Sequence, residues 1–381
     1  MIILKEFMHY MPTRVIFGVG TFRWLPDIIK RYGDTVFVIT TRKSLRIAGL
    51  LDEVENILSE AGIDFHIYSL DDNNRPAESI NHIASLVKEM KADVMVAIGG
   101  GSVMDATKGV AVAALSRYGM VEDFLGRSKV KRALPIIAVP TTAGSGGEVT
   151  HYAQLIVDGK WDIIYSSKIV PKVAIVDPET TITLDYEHTI YSGFEAVTHL
   201  IEGYFSCHSN PIIEPLALKG IYLVGRSFVK AVTHGRDIDA RSDMSLAALL
   251  GGIVINDTGV GLTHFLGFPI AEDLDVPHGL INALLLPPVL EKNVARGGPV
   301  IHGKLELMKM RIGMDITSYI RKLREEFSMP HSLVEWGADT GIDIKDWTRR
   351  AMHRIKMYEK SLPYVPTEEE VEAIYLQVLR G

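Results

Sequence analysis

At 381 residues, 47% of them hydrophobic and 23% charged, the chain has the make-up of a well-packed soluble protein of about two domains. A formal charge of −7 without any Lys/Arg cluster argues against nucleic acid as the main partner and leaves small molecules as the class to expect. The single cysteine, Cys207, excludes an internal disulfide framework. The opening MIILKEFMHYMP carries Lys5 and Glu6 where a signal peptide needs apolar residues, and no run of about 18 apolar residues follows, so a cytoplasmic protein with no membrane partner is expected.

In chain order, short β-branched runs alternate with helical patterns. TVFVIT (35–40) is followed by a helix near 47–61, DFHIYSL (64–70) by a helix near 77–90, and then comes DVMVAIGG (93–100). LPIIAVPTT (134–142) and VAIVDPE (173–179) extend the series. Strands separated by helices of this length predict right-handed βαβ units and a parallel sheet. From about residue 183 the pattern turns to long apolar or amphipathic helices at 187–206, 212–230, 240–255 and 279–294. The predicted division is an α/β domain over 1–182 and a helical domain over 183–381. ARGGPVIHG (295–303) and SMPHSL (328–333) read as surface breaks within the second.

Two glycine-rich loops follow predicted strands. VAIGGGSVMDATKG (96–109) ends a strand in Gly99, Gly100 and Gly101, then opens a helix with Ser102 as its candidate cap and Asp105 in the first turn. Glycines let a backbone approach a phosphate, and a helix amino terminus offers N–H groups and positive dipole charge. The loop lacks the G-x-G-x-x-G spacing, so alone it serves equally as a tight turn. VPTTAGSGGEVT (139–150) adds Thr141, Thr142 and Ser145 among further glycines. Two such loops at the carboxyl ends of parallel strands point to a dinucleotide site. Lys160 joins the candidate cofactor-binding residues.

In GFEAVTHLIEGY (193–204), Glu195 and His199 lie one turn apart on the same face of an apolar helix. GLTHFLGFPIAEDLDVPHGLIN (261–282) carries His264 and His278. A lone histidine is more often a hydrogen-bonded structural residue than a ligand. One carboxylate with three imidazoles, however, is a donor set for Zn²⁺ or Fe²⁺ that leaves a position for a substrate oxygen.

GGGSVMDATKG, PTTAGSGGEVT, DPETTITL, GFEAVTHLIEGY and DVPHGLINALLLP, in this order, resemble the iron-dependent (group III) alcohol dehydrogenases over nearly the whole chain. The resemblance implies an amino-terminal parallel-sheet dinucleotide-binding domain and an all-helical second domain, the dehydroquinate synthase-like arrangement. It also implies a bound metal, iron or zinc, and a nicotinamide. Carried across residue by residue, the family's ligands fall on Glu195, in place of its usual aspartate, and on His199, His264 and His278. Its first glycine loop falls on Gly99 to Ser102, and its Thr-Thr pair on Thr141 and Thr142, with Ser145 where a threonine is common.

Three departures from the family stand out. Glutamate at 195 adds one methylene, about 1.5 Å of reach. Many relatives carry a histidine implicated in proton transfer four residues after the third ligand, where this chain has Phe268, read as a packing aromatic. After the second strand, where many NAD-dependent members place an aspartate, this chain has Thr41, then Arg42 and Lys43, which favours NADP over NAD. The expected function is metal-dependent hydride transfer between NAD(P)(H) and a small alcohol, aldehyde or ketone, with a homodimer as the candidate assembly. The alternatives are a sugar-phosphate cyclase of the dehydroquinate synthase type and a nucleotide-binding homologue with impaired catalysis.

Overall fold

TVFVITT is buried along almost its whole length because it becomes an inner strand, covered on both faces, and such strands read as continuous apolar runs. The computed structural model describes residues 6–41, 49–70, 76–117, 120–127, 130–274 and 276–381. In chain order the strands are β1 (Arg14–Phe17), β2 (Thr35–Thr41), β3 (Asp64–Leu70), β4 (Val94–Gly99), β5 (Gly126–Arg127), β6 (Ile136–Pro140), β7 (Tyr152–Val157), β8 (Lys160–Tyr165) and β9 (Val173–Val176). The helices of the first half are α1 (Leu25–Ile29), α2 (Leu50–Glu60), α3 (Ala77–Met90) and α4 (Gly101–Ala113). Those of the second are α5 (Tyr186–Phe205), α6 (Ile213–Thr233), α7 (Ile238–Thr258), α8 (Leu262–Asp273), α9 (His278–Arg296), α10 (Pro299–Ile312), α11 (Ile316–Glu326), α12 (Leu333–Trp336), α13 (Ile344–Tyr358) and α14 (Glu368–Arg380).

Six strands form one sheet in the order β1-β9-β6-β4-β2-β3, every pair parallel. Alternating side chains feed two cores, one on each face. Phe37, Ile39, Met95, Ala97, Ile136 and Ala138 pack with α3 and α4. On the other face Val36, Val38, Val94, Val96, Ile137 and Ile175 pack with α1 and α2. A three-stranded sheet, β5-β8-β7, contains the β7–β8 hairpin, which the sequence reading did not delineate. The expected surface break at 295–303 is shorter than predicted: Gly297 and Gly298 turn the chain, and Pro299 already begins α10, a position where its missing N–H costs nothing.

The chain divides into two units. One holds Met11–Asp185 with His234–Ser245, and the other holds the segment to Tyr10 with Tyr186–Thr233 and Leu246–Gly381. This differs from one cut near 183 in two places. The segment to Tyr10 goes with the helices, where His9 Nδ1 lies 2.7 Å from Asp257 Oδ2 and Tyr10 O accepts from Asn256 Nδ2. Residues 234–245 go with the sheet unit, where the buried Arg241 donates from Nε to Gly235 O and from Nη2 to Leu184 O. Among the described residues, no single helix is long and apolar enough to cross a membrane.

Candidate metal centre and glycine loops

Helix α5 is buried over most of its length by Phe194, Val197, Leu200 and Ile201, yet three ionisable residues, Glu195, His199 and Glu202, recur on one face at i, i+4 and i+7. Helix α8 brings His264, and α9 begins with His278, directly after Pro277. The three imidazoles gather around a single carboxylate oxygen. Glu195 Oε1 lies 3.3 Å from His199 Nε2, 3.5 Å from His264 Nε2 and 3.8 Å from His278 Nε2.

Those separations are long for strong hydrogen bonds. They suit donors gathered around one ion, since with metal–ligand bonds of about 2.1 Å neighbouring donors stand about 3.0–3.4 Å apart in either a tetrahedral or a more open coordination. The donor atoms of Glu195, His199 and His264 all lie within 4.8 Å of one another. Glu195, His199 and His264 therefore fit a divalent ion, and His278, outside that group of three, has its Nε2 3.8 Å from Glu195 Oε1. The second oxygen of Glu195, Oε2, accepts a 2.6 Å hydrogen bond from Asn282 Nδ2. Burial by itself would raise the Glu195 carboxyl, but the imidazoles of His278, His199 and His264 outweigh burial and hold it well below the usual carboxylate range.

In the sheet unit, Thr141 N donates to Gly99 O, and β4 and β6 run in register from Met95 opposite Ile136 to Gly99 opposite Pro140. The two predicted glycine loops are thereby brought together. A Cβ on Gly100 would stand 3.1 Å from Thr142 Oγ1, and one on Gly101 would stand 3.1 Å from Ser145. The predicted cap is corrected: Gly100 in extended conformation is the N-cap of α4, no side chain caps the helix, and Ser102 lies inside its first turn. Asp105 lies beyond that turn, because α4 starts at Gly101. A helix start free of side-chain caps suits an anionic ligand. Thr41 closes β2, while Arg42 and Lys43 lie outside the described residues. Lys160 is exposed at the start of β8, opposite Val157, in the three-stranded sheet and not on the loops after β4 and β6.

The second loop continues into a buried ionisable pair that the sequence reading did not single out. Lys108 Nζ donates to Thr150 Oγ1 at 2.8 Å and to Tyr152 O at 2.9 Å. Burial pushes the Lys108 amine down to about 8 and the Glu148 carboxyl up to about 7. A carboxyl raised above its unfolded value of 4.5 keeps its full contribution below that pH and loses it as the pH rises through about 7. Glu148→Gln is therefore expected to gain stability relative to the parent between pH 5 and 8, by up to about 3 kcal/mol. Urea denaturation of both proteins at the two pH values checks this, and a difference that does not move with pH contradicts it.

Residues 12–178 match the family described as iron-containing alcohol dehydrogenase, and residues 189–379 match that family's carboxyl-terminal part. The chain belongs to the iron-containing alcohol dehydrogenase family. It is 34% identical to long-chain-alcohol dehydrogenase 1 of Geobacillus thermodenitrificans, the match covering 96% of this chain and 94% of that one. It is 30% identical to the NAD-dependent methanol dehydrogenase of Bacillus methanolicus over 75% of each chain. The solved iron-containing alcohol dehydrogenase of Thermotoga maritima matches with a TM-score of 0.87 and 30% identity over 98% of this chain and 99% of that one. As a member of this family the protein is a metal-dependent alcohol oxidoreductase that uses a nicotinamide cofactor, and the sugar-phosphate cyclase reading is set aside.

Within this dehydrogenase, Phe268 packs as an aromatic. It is 6% exposed, its ring centroid lies 6.4 Å from that of His278, and the Arg354 guanidinium sits 4.5 Å from the ring centre. Glu272 Oε1 holds Arg354 at 2.9 Å. Two residues of the candidate metal centre were missed from sequence. One is Asn282, one turn after His278. The other is Glu202, whose Oε2 stands 2.6 Å from His264 Nδ1. Burial opposes charge on His264, but Glu202 and Glu195 override it and raise the imidazole to about 10. The signal available for Glu202 was a third ionisable residue on the buried face of α5.

Proposed function

We propose that Glu195, His199, His264 and His278 hold one divalent ion, iron or zinc, and that the loops at 99–102 and 141–145 receive the pyrophosphate of a nicotinamide dinucleotide, NADP in preference to NAD. The substrate class is a small neutral alcohol or the corresponding aldehyde or ketone. The observation that carries the reading is the gathering of three Nε2 atoms around Glu195 Oε1 at 3.3, 3.5 and 3.8 Å.

When bound, the ion supplies Lewis acidity toward a substrate oxygen, and the nicotinamide supplies or takes the hydride. The protein's own groups do the positioning. Asn282 occupies Glu195 Oε2 and leaves Oε1 toward the imidazoles. Phe268 covers the neighbourhood of His278 with an apolar ring that neither gives nor takes a proton, so proton exchange there falls to solvent, which reaches the 32% exposed His278 side chain.

The test is an NADPH and NADH oxidation assay against short-chain and aromatic aldehydes, before and after chelation and after restoring Fe²⁺ or Zn²⁺. Chelator-sensitive turnover that returns with metal is expected; turnover indifferent to chelation contradicts the reading. The nucleotide preference has its own test. Thr41→Asp puts a carboxylate at the end of β2, the position where many NAD-dependent members carry an aspartate, and the NADPH-to-NADH ratio of kcat/KM should fall at least about tenfold, roughly 1.4 kcal/mol. An unchanged ratio removes residues 41–43 from cofactor selection.

A further inference from the structure

Glu202 is buried on the same face of α5 as Glu195 and His199, and among the described residues its carboxylate's hydrogen bonds run to the start of α8. Its Oε2 accepts from Gly261 N at 2.8 Å and its Oε1 from Thr263 N at 2.6 Å and His264 N at 3.3 Å, while His264 Nδ1 lies 2.6 Å from Oε2. Helix α8 has Gly261 as its N-cap and no side-chain cap of its own, so this carboxylate from another helix occupies that place. An ionised carboxylate only accepts hydrogen bonds, so the Nδ1 contact requires the proton on Nδ1. In the neutral ring that binds a metal, with its proton on Nδ1, the lone pair is the one on Nε2, which stands 3.5 Å from Glu195 Oε1.

We propose that Glu202 is the positioning residue of the metal centre: by holding the backbone at 261–264 and the Nδ1–H of His264 together, it presents His264 Nε2 to the ion and couples α8 to the helix carrying the first two ligands. The inference rests on the proposed metal site. A carboxylate behind a metal-bound imidazole fixes its tautomer and orientation, and losing such a partner typically lowers metal affinity 10–100-fold. Glutamine cannot replace it, because one end of its amide is a donor that would face backbone N–H groups.

The experiment measures Zn²⁺ affinity by competition with a chromophoric chelator, without nucleotide or substrate, in the parent, Glu202→Gln, His264→Ala and the double variant. Glu202→Gln is expected to weaken Zn²⁺ binding about 10–100-fold, and to weaken it no more than about twofold further once His264 is already alanine. A purely structural role for Glu202 would add its full effect in both backgrounds, which overturns the proposal. So does a Glu202→Gln affinity within twofold of the parent. A parent that binds no Zn²⁺ and no Fe²⁺ removes the metal reading itself, a distinct result. If Glu202→Gln does not fold, Glu202→Asp, which keeps the charge but withdraws it by one methylene, enters the same cycle with the same criteria.

Discussion

His199→Ala is expected to abolish metal retention through a short dialysis and to lower turnover of any accepted aldehyde by about 10³-fold or more. The expectation follows from the site's geometry. Of the three imidazoles, His199 supplies the donor nearest Glu195 Oε1, at 3.3 Å, from a side chain that is only 5% exposed. Loss of roughly 4 kcal/mol of Lewis-acid stabilisation corresponds to that change in rate. The fold should survive, because among the described residues His199 Nδ1 has no hydrogen-bond partner, so its removal breaks no hydrogen bond on that side of the ring. Elemental analysis, steady-state kinetics and a melting curve of the metal-free protein together check the prediction. A His199→Ala protein that keeps one ion per chain and parental turnover refutes it.

Gly279→Ala carries the second large effect. A Cβ at this position would lie 1.9 Å from Tyr191 O, 2.5 Å from its carbonyl carbon and 2.6 Å from its Cα, all backbone atoms of α5 that cannot rotate away. The start of α9 would have to retreat, and it carries His278 as its first residue. A loss of at least about 3 kcal/mol in the metal-free protein is expected, with weaker metal binding in whatever folds. Gly303→Ala is the matched control: it lies within α10 with nothing within 4 Å of an added Cβ, and helix propensity favours alanine there by up to about 1 kcal/mol. Urea denaturation of both variants decides the point. A Gly279→Ala protein as stable as the parent contradicts the close packing of α9 on α5.

What the sequence made legible was whatever is local in the chain or carried by ordered motifs. Glu195 and His199 were readable because they share a turn of one helix, and the strand-to-glycine transitions after β4 and β6 were readable because each is a short continuous pattern. Glu202 sits in the same stretch as His199 but finds its partners 59 to 62 residues later, and Asn282 reaches Glu195 across 87 residues, so no local pattern exposes their roles. The Ser102 cap failed for a local reason: three consecutive glycines let the backbone itself choose where the helix starts, and it chose Gly100. Helix α8 escaped notice because it is buried and apolar over most of its length and carries Pro269 inside it, which hides the usual 3.6-residue alternation. The division of the chain near 183 was visible as a change of pattern. The attachment of the segment to Tyr10 and of residues 234–245 was not, since it involves partners far apart in the chain, such as Asn256 with Tyr10 and Arg241 with Leu184.

The most direct measurement is anomalous diffraction from crystals of the protein loaded with Zn²⁺ or Fe²⁺. The account predicts one strong peak about 2.0–2.2 Å from Glu195 Oε1 and from the Nε2 atoms of His199, His264 and His278. A loaded crystal with no peak among these four side chains, or with its ion held elsewhere in the chain, would contradict it.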